Sequence, residues 1–249
     1  MSETQKVLSA EQTQEFYHDH FVEDQVGGLL RALGPSLRAD DVIVDIGGGC
    51  GYFARALKDR AGIATRVMDT DPASIAACAA AGIDAQLADA LVPAIRGDET
   101  IACFNMVLHH LIGASDMKTR ALQVEALRSW RSQVRHVFVN EYVYESFGSP
   151  GWSGKLIWSV TSSKTLSALA KLAGKVLPSL RANTLGVGVR FRPVAEWLVI
   201  FNEAGYELAF HELGEEESIS VPRRALLIRS RRRDNFVLRP RVAQLLRPV

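Results

Sequence analysis

Apolar, β-branched runs take turns along the chain with stretches of helical spacing. Val42-Ile-Val-Asp-Ile46 reads as a strand, and the glycines from Gly47 to Gly51 as a tight turn after it. Residues 52–60 read as a helix, with Phe53, Ala54, Leu57 and the following Ala61 on one face. A second strand over 64–68 runs into Asp69. Pro72 suits a helix start, where a missing N–H costs nothing, and Gly82 stops that helix. Strands follow over 83–88, 100–107 and 134–141, with a helix over 117–131 between the last two. A helix over 194–204, stopped by Gly205, and strands over 206–211 and 224–230 complete the pattern. Such alternation predicts βαβ units: an α/β fold with a doubly wound, mostly parallel sheet covered on both faces. Ligands of such sheets bind beyond the carboxyl ends of the strands, so the residues just after each strand carry the chemistry.

Those positions are acidic. Asp45 ends the first strand, where glycines let the backbone turn sharply and approach a ligand with no Cβ between them. Asp69 ends the second strand, a place from which a carboxylate accepts two ribose hydroxyls. Asp89 follows the third and is placed to accept the exocyclic amine of an adenine. Three strand-end carboxylates in register with a glycine loop are more specific than any one of them.

VIVDIGGGCGYFARAL, RVMDTDP, LADA and CFNMVLHHLIG resemble the successive motifs of class I S-adenosylmethionine-dependent methyltransferases, over roughly residues 40–142, with a fainter echo at 191–208. The resemblance implies a seven-stranded, Rossmann-like methyltransferase domain spanning 1–249. It implies S-adenosyl-L-methionine as cofactor and methyl transfer to an O or N atom of a small or medium-sized molecule. By the same match Asp45, Gly47, Gly49 and Gly51 hold the amino-acid end of the cofactor. Asp69, with Thr70 beside it, takes the ribose. Asp89 and Ala90 flank the adenine, and Asn105 lines the methionine moiety. A dinucleotide site is the competing reading, since Gly49-Cys-Gly51-Tyr-Phe-Ala54 fits G-x-G-x-x-A. Asp45 would then set negative charge beside a pyrophosphate, whereas a sulfonium and an ammonium suit an acidic loop. A plain turn with a capping acid leaves Asp69 and Asp89 unexplained.

Methyl transfer from a sulfonium is an in-line displacement that needs mainly proximity and alignment. A base is required only where the acceptor carries a proton. His110, His109 and Glu141 follow strands four and five and are the candidate catalytic groups, with Tyr142 beside them on the substrate side. The other reading of His109-His110 places one ring hydrogen-bonded in the core and the other in solvent. No carboxylate stands at ligand spacing from this pair, so no metal is expected. Tyr17, flanked by His18 and His20, sits on an N-terminal helix that either closes over the cofactor or lies on the surface.

Composition places the chain among globular proteins: 249 residues, 47% hydrophobic, 23% charged and a net charge of +1 exclude disorder and a polyelectrolyte binder. The near-neutral total hides segregation. Residues 146–192 carry 7 basic side chains and no carboxylate, inside an otherwise acidic body. This insert, at the carboxyl edge of the sheet, is where a substrate lid belongs. Within it a helix over 165–180 sets Leu166, Leu169, Ala173, Val176, Leu177 and Leu180 on one side and Lys164, Lys171 and Lys175 on the other, with Trp152 and Trp158 before it. Two readings are open: a cap packed on the core with a solvated lysine face, or a surface for an anionic, greasy partner such as a lipid, a membrane face or an acyl chain on an acidic carrier. Arg190 and Arg192 either grip a substrate carboxylate or phosphate or pair with an acid such as Glu196.

Residues 231–249 read as a basic tail, solvated or binding nucleic acid non-specifically. A nucleic-acid methyltransferase is therefore an alternative, although no DPPY-like motif follows strand four; a non-catalytic cofactor-binding protein is another. The 3 cysteines are odd in number and form no CxxC pair, the N-terminus has no apolar core of a signal peptide, and no run reaches the ~18 apolar residues of a membrane span. A cytoplasmic protein is expected.

Overall fold

The computed structural model describes residues 19–176 and 184–241. Its strands are β1 (Val42–Ile46), β2 (Ala64–Asp69), β3 (Asp84–Leu87), β4 (Ile101–Asn105), β5 (His136–Ser146), β6 (Tyr206–Glu212) and β7 (Ile228–Pro240). They form one sheet in the order β3-β2-β1-β4-β5-β7-β6, with β7 antiparallel to both neighbours and the first five strands mutually parallel. The helices are α1 (Asp19–Leu33), α2 (Tyr52–Ala61), α3 (Pro72–Ala80), α4 (Asp116–Arg128), α5 (Trp152–Ser162), α6 (Lys164–Val176), α7 (Val194–Glu203) and the single turn α8 (Val221–Arg224).

The central strands are apolar on both faces because helices cover both. Ile43, Cys103 and Phe138 pack with Val26, Leu29, Phe53 and Leu57 from α1 and α2. Their strand neighbours Val44, Phe104, Val137 and Val139 point the other way and pack with Leu127, Trp130, Trp197 and Phe201. The polar exceptions Asp45, Asn105 and Glu141 stand at or near the carboxyl ends of β1, β4 and the parallel part of β5. That is the rim where the crevice forms.

Three expectations are corrected. The stretch 224–230 is not one strand: α8 occupies its start and β7 runs on to Pro240. Residues 231–240 are therefore a sheet strand rather than a tail. Phe236, Val237 and Leu238 bury there, and the arginines before them meet acids: Arg231 and Arg233 pair with Glu217, Arg233 also with Asp24, and Arg232 with Asp234. Residues 242–249 lie outside the described residues. Second, strand four stops at Asn105, because Met106 takes a positive φ of 57° and a 3-10 turn, Leu108–His110, begins.

Third, the leucine side of the insert helix does not pack on the core. Ser167 is buried and Ala170 half-buried, while Leu166, Leu169 and Leu172 are exposed. The reason is close approach. The Ser167 hydroxyl donates to the Val160 carbonyl of α5 at 2.7 Å, and only small side chains fit between helices that near. Leu177 and Leu180 lie outside the described residues.

Candidate active site

The turn after β1 needs glycine for a stated reason. Gly47, Gly49 and Gly51 have φ of +69°, +54° and +78°, a region that side chains resist. A Cβ on Gly47 would also lie 2.6 Å from the Val107 side chain, and one on Gly51 2.8 Å from Ile83. The loop's amides are largely engaged. Gly47 N–H donates to the Met68 carbonyl (2.7 Å), Gly51 N–H to the Gly48 carbonyl (3.0 Å) and Gly49 N–H to Asp69 Oδ2 (2.9 Å). Asp69 Oδ1 accepts from Asp71 N–H at 2.9 Å, while the Asp71 carboxylate caps α3 through Ala73 and Ser74. Asp69 is thus locked by one amide on each oxygen, with a lone pair of each left over. Thr70 beside it is exposed.

Asp45 is buried under this loop. Its Oδ1 accepts from the Asn105 side-chain amide at 2.9 Å, which joins two residues that lie on adjacent parallel strands. Burial pushes the Asp45 carboxyl up to about 7; the Asn105 amide opposes the rise and the Asp69 charge adds to it. The Asn105 carbonyl oxygen is itself buried with no partner among the described residues. The crevice therefore offers acceptors: the Asn105 oxygen, the Asp45 carboxyl and the Asp69 carboxylate. That donor-poor set fits a ligand bringing hydroxyls, an ammonium and a cationic sulfur. A pyrophosphate would meet carboxylates here, with the Gly47, Gly49 and Gly51 amides already engaged.

Asp89 closes a tight turn: its Oδ1 accepts from Leu91 N–H (2.9 Å) and its carbonyl from Val92 N–H (3.0 Å). Its other carboxylate oxygen has no hydrogen bond to the described residues. Ala90 packs against the core beside it.

Across the crevice, the structure brings His109 and Glu141 together. His109 Nδ1 lies 2.6 Å from Glu141 Oε1, both side chains being buried. Glu141 is fixed further by His109 N–H (3.2 Å) and Tyr142 N–H (2.9 Å). A carboxylate there makes Nδ1 the protonated nitrogen and leaves the Nε2 lone pair available. The His110 ring lies 4.1 Å from that of His109 and makes no hydrogen bond with the described residues. Burial, together with the neighbouring His109, holds the His110 imidazole well below the ordinary histidine range. The Tyr142 ring meets His109 edge-on, and burial pushes its phenol up to about 12, so it stays protonated.

Arg190 and Arg192 are held by other side chains of the chain. Both are buried. Arg190 pairs with Asp116 (2.7 Å) and Glu196 (3.0 Å), and Arg192 with Glu196 (2.6 Å) and the Gln123 side chain (2.7 Å). Of the two readings, pairing with the acidic body is the one observed. Their alternation sends Phe191 the other way, onto His109 (ring centroids 4.9 Å apart) and stacked on Tyr144 (4.4 Å). Sequence reasoning missed Phe191, although the period of two in Arg190-Phe191-Arg192 was the available signal. Tyr17 and His18 lie outside the described residues, as does the His20 side chain. Among the described residues no group of three or more His, Cys, Asp or Glu is placed to hold a metal ion.

No family model and no curated protein matches this sequence. Solved structures match it by shape. The MccD protein superimposes with a TM-score of 0.61 at 12% identity, covering 88% of this chain and 97% of that one. Magnesium protoporphyrin IX methyltransferase from Synechocystis PCC 6803, with bound SAH, gives 0.56 at 11%, covering 93% of each chain. Geranyl diphosphate C-methyltransferase from Streptomyces coelicolor A3(2), in complex with magnesium, geranyl diphosphate and S-adenosyl-L-homocysteine, gives 0.55 at 12%, covering 88% and 79%. The chain has the seven-stranded, Rossmann-like methyltransferase fold. At these identities the likeness is one of architecture.

Proposed function

We propose that this chain is an S-adenosyl-L-methionine-dependent methyltransferase whose acceptor is a proton-bearing group, a hydroxyl by preference, on a small or medium-sized molecule. The observation that carries the cofactor is the acceptor-rich crevice: Asn105, whose buried oxygen has no partner among the described residues and whose amide donates to a buried Asp45, beside an Asp69 locked by two amides. Solved neighbours with bound SAH support the same reading. When bound, S-adenosylmethionine supplies a methyl already activated on a cationic sulfur.

The chain's residues then divide the remaining work. Asp69 accepts the ribose hydroxyls, Asp89 and Ala90 flank the adenine, and Asp45 with Asn105 faces the amino-acid end. The glycine loop lets the backbone come close. His109 is the general base: its Nε2 takes the proton that the acceptor loses, and Glu141 stabilises the resulting imidazolium. Glu141 is a positioning residue. His110, held neutral and without a carboxylate of its own, lines the site. Arg231, Arg232 and Arg233, which a nucleic-acid reading would use, are paired with Glu217, Asp24 and Asp234, and this favours the small-molecule reading over that alternative.

Calorimetric titration tests the cofactor. S-adenosylmethionine and S-adenosylhomocysteine should bind, NAD should not, and Asp69→Ala should lose about tenfold or more in affinity, because the ribose hydroxyls lose their charged acceptor. Equal binding by parent and variant, or a preference for NAD, would overturn the proposal.

A further inference from the structure

The insert helix α6 leaves an apolar flank in solvent. Leu169 is 64% exposed, Leu172 60% and Leu166 42%. On a helix these three side chains span about a third of a turn, and Lys164, Lys171 and Lys175 occupy the adjoining arc. The inward arc carries Ser167 and Ala170, which suffice for contact with α5. Helix α5 has the same composition on its outer side, with Trp152 half in solvent, Leu156 exposed and Lys155 between them.

The insert's own charge is of one sign, with Asp116 of α4 acting on Lys155 from outside it. Lys155, Lys164, Lys171 and Lys175 make no ion pair among the described residues, and no carboxylate occurs between residues 146 and 192. Elsewhere Arg31, Arg66 and Arg120 meet acids. Lysines left unmatched beside leucines left uncovered are complementary to one kind of surface, an anionic one with an apolar interior. Among the described residues no helix is long and apolar enough to cross a membrane, so contact would be lateral, with the leucines entering the headgroup boundary and the lysines resting on phosphates.

We infer that the α5–α6 insert is a docking element for the surface of an anionic lipid bilayer, with Leu166, Leu169 and Leu172 as the inserting residues and Lys164, Lys171 and Lys175 as the charge contacts. This inference is independent of the methyltransferase reading.

Vesicle co-sedimentation of the full chain tests it, using phosphatidylcholine vesicles and vesicles of phosphatidylcholine mixed with phosphatidylglycerol. The parent protein should sediment with the anionic vesicles, far less with the neutral ones, and release as salt rises. Each lysine near an anionic surface contributes roughly a fivefold factor, so Lys171→Gln with Lys175→Gln should weaken binding about tenfold or more. Leu169→Asp with Leu172→Asp should weaken it at least as much. Val221→Asp, at an 81% exposed position elsewhere, should leave it unchanged. All these sites are exposed, and an unchanged thermal midpoint shows that the variants fold. Equal sedimentation with both vesicles, sedimentation with neither, or doubly substituted variants that bind like the parent would overturn the inference. So would a parent dimer in light scattering that the leucine variants dissociate, since a second copy would then be what covers the flank.

Discussion

His109 Nδ1 and Glu141 Oε1 are 2.6 Å apart, and Glu141 is fully enclosed. A buried carboxylate facing an imidazole sets the tautomer and stabilises the protonated ring, while a second histidine without such a partner receives neither help. The pair therefore separates two adjacent residues that look equivalent in sequence. His109→Gln should slow turnover about 100-fold, within the usual range for loss of a general base, with cofactor affinity intact. His110→Gln should change it only a few-fold. Glu141→Gln should slow turnover about tenfold and move the acidic limb of the rate profile, a shift that a merely structural role would not produce. Release of S-adenosylhomocysteine against pH is the readout. A His110 variant slower than the His109 variant would reverse the assignment.

Asp45 predicts a pH dependence of cofactor binding. Its carboxyl ordinarily titrates near 3.8 and is raised to about 7 here, mainly by burial. The folded protein thus binds a proton that the unfolded chain has released between those values. This group's contribution to stability is largest below its unfolded pKa and is lost as pH rises through 7. A cationic ligand selects the ionised form, so its affinity should rise between about pH 5.5 and 7, by up to about tenfold per pH unit, and level off above. Asp45→Asn should flatten both the affinity slope and the fall in stability. Titration calorimetry and thermal unfolding at matched pH measure the two; a parent whose affinity is flat with pH would refute the claim.

Much of this was legible before any coordinates. The strand-end acids and the glycine turn are fixed by local rules, because a βαβ unit puts the residues after each strand on one rim. The Arg-rich segment after Ile228 was not legible. An antiparallel strand between two others gains its place from Phe236, Val237 and Leu238 and from acids far away in sequence, Asp24 and Glu217. Charge density alone suggested a tail. The insert failed for a related reason: periodicity finds the apolar side of α6, but which side packs depends on how closely α5 approaches. His109 and His110 were indistinguishable until the position of Glu141 was known.

The buried arginines yield a stability prediction. Glu196 is shared by Arg190 and Arg192, and burial with the neighbouring Arg190 pushes the Arg192 pKa down, a sign that the second guanidinium is only just compensated. Glu196→Ala should destabilise the fold by about 3 kcal/mol, the usual cost of removing one partner of a buried pair. Cofactor affinity in the folded protein should not change. Arg190→Lys should be destabilising too, because an ammonium cannot serve Asp116 and Glu196 with one planar fork. Chemical denaturation decides between this role and a substrate-gripping one, under which the variants would unfold like the parent and lose acceptor binding instead.

Gly154 tests how the insert is anchored. It stands on α5 against the segment carrying Arg190 and Phe191, and a Cβ at this position would run into the Phe191 carbonyl and the Arg190 guanidinium. The carbonyl is backbone and cannot swing aside, so Gly154→Ala must push α5 outward. Two consequences follow from the geometry. Phe191 should lose its place against His109 and Tyr144, and Arg190 its place between Asp116 and Glu196. Tyr144 lies on β5, two strands from the β1 that carries Asp45. Limited proteolysis should therefore cut within 146–192 several-fold faster in the variant, while cofactor affinity at the far rim, set by Asp45 and Asp69, stays within about twofold. Loss of cofactor binding in step with the faster cleavage would mean that the insert shapes the cofactor site as well as covering the acceptor side.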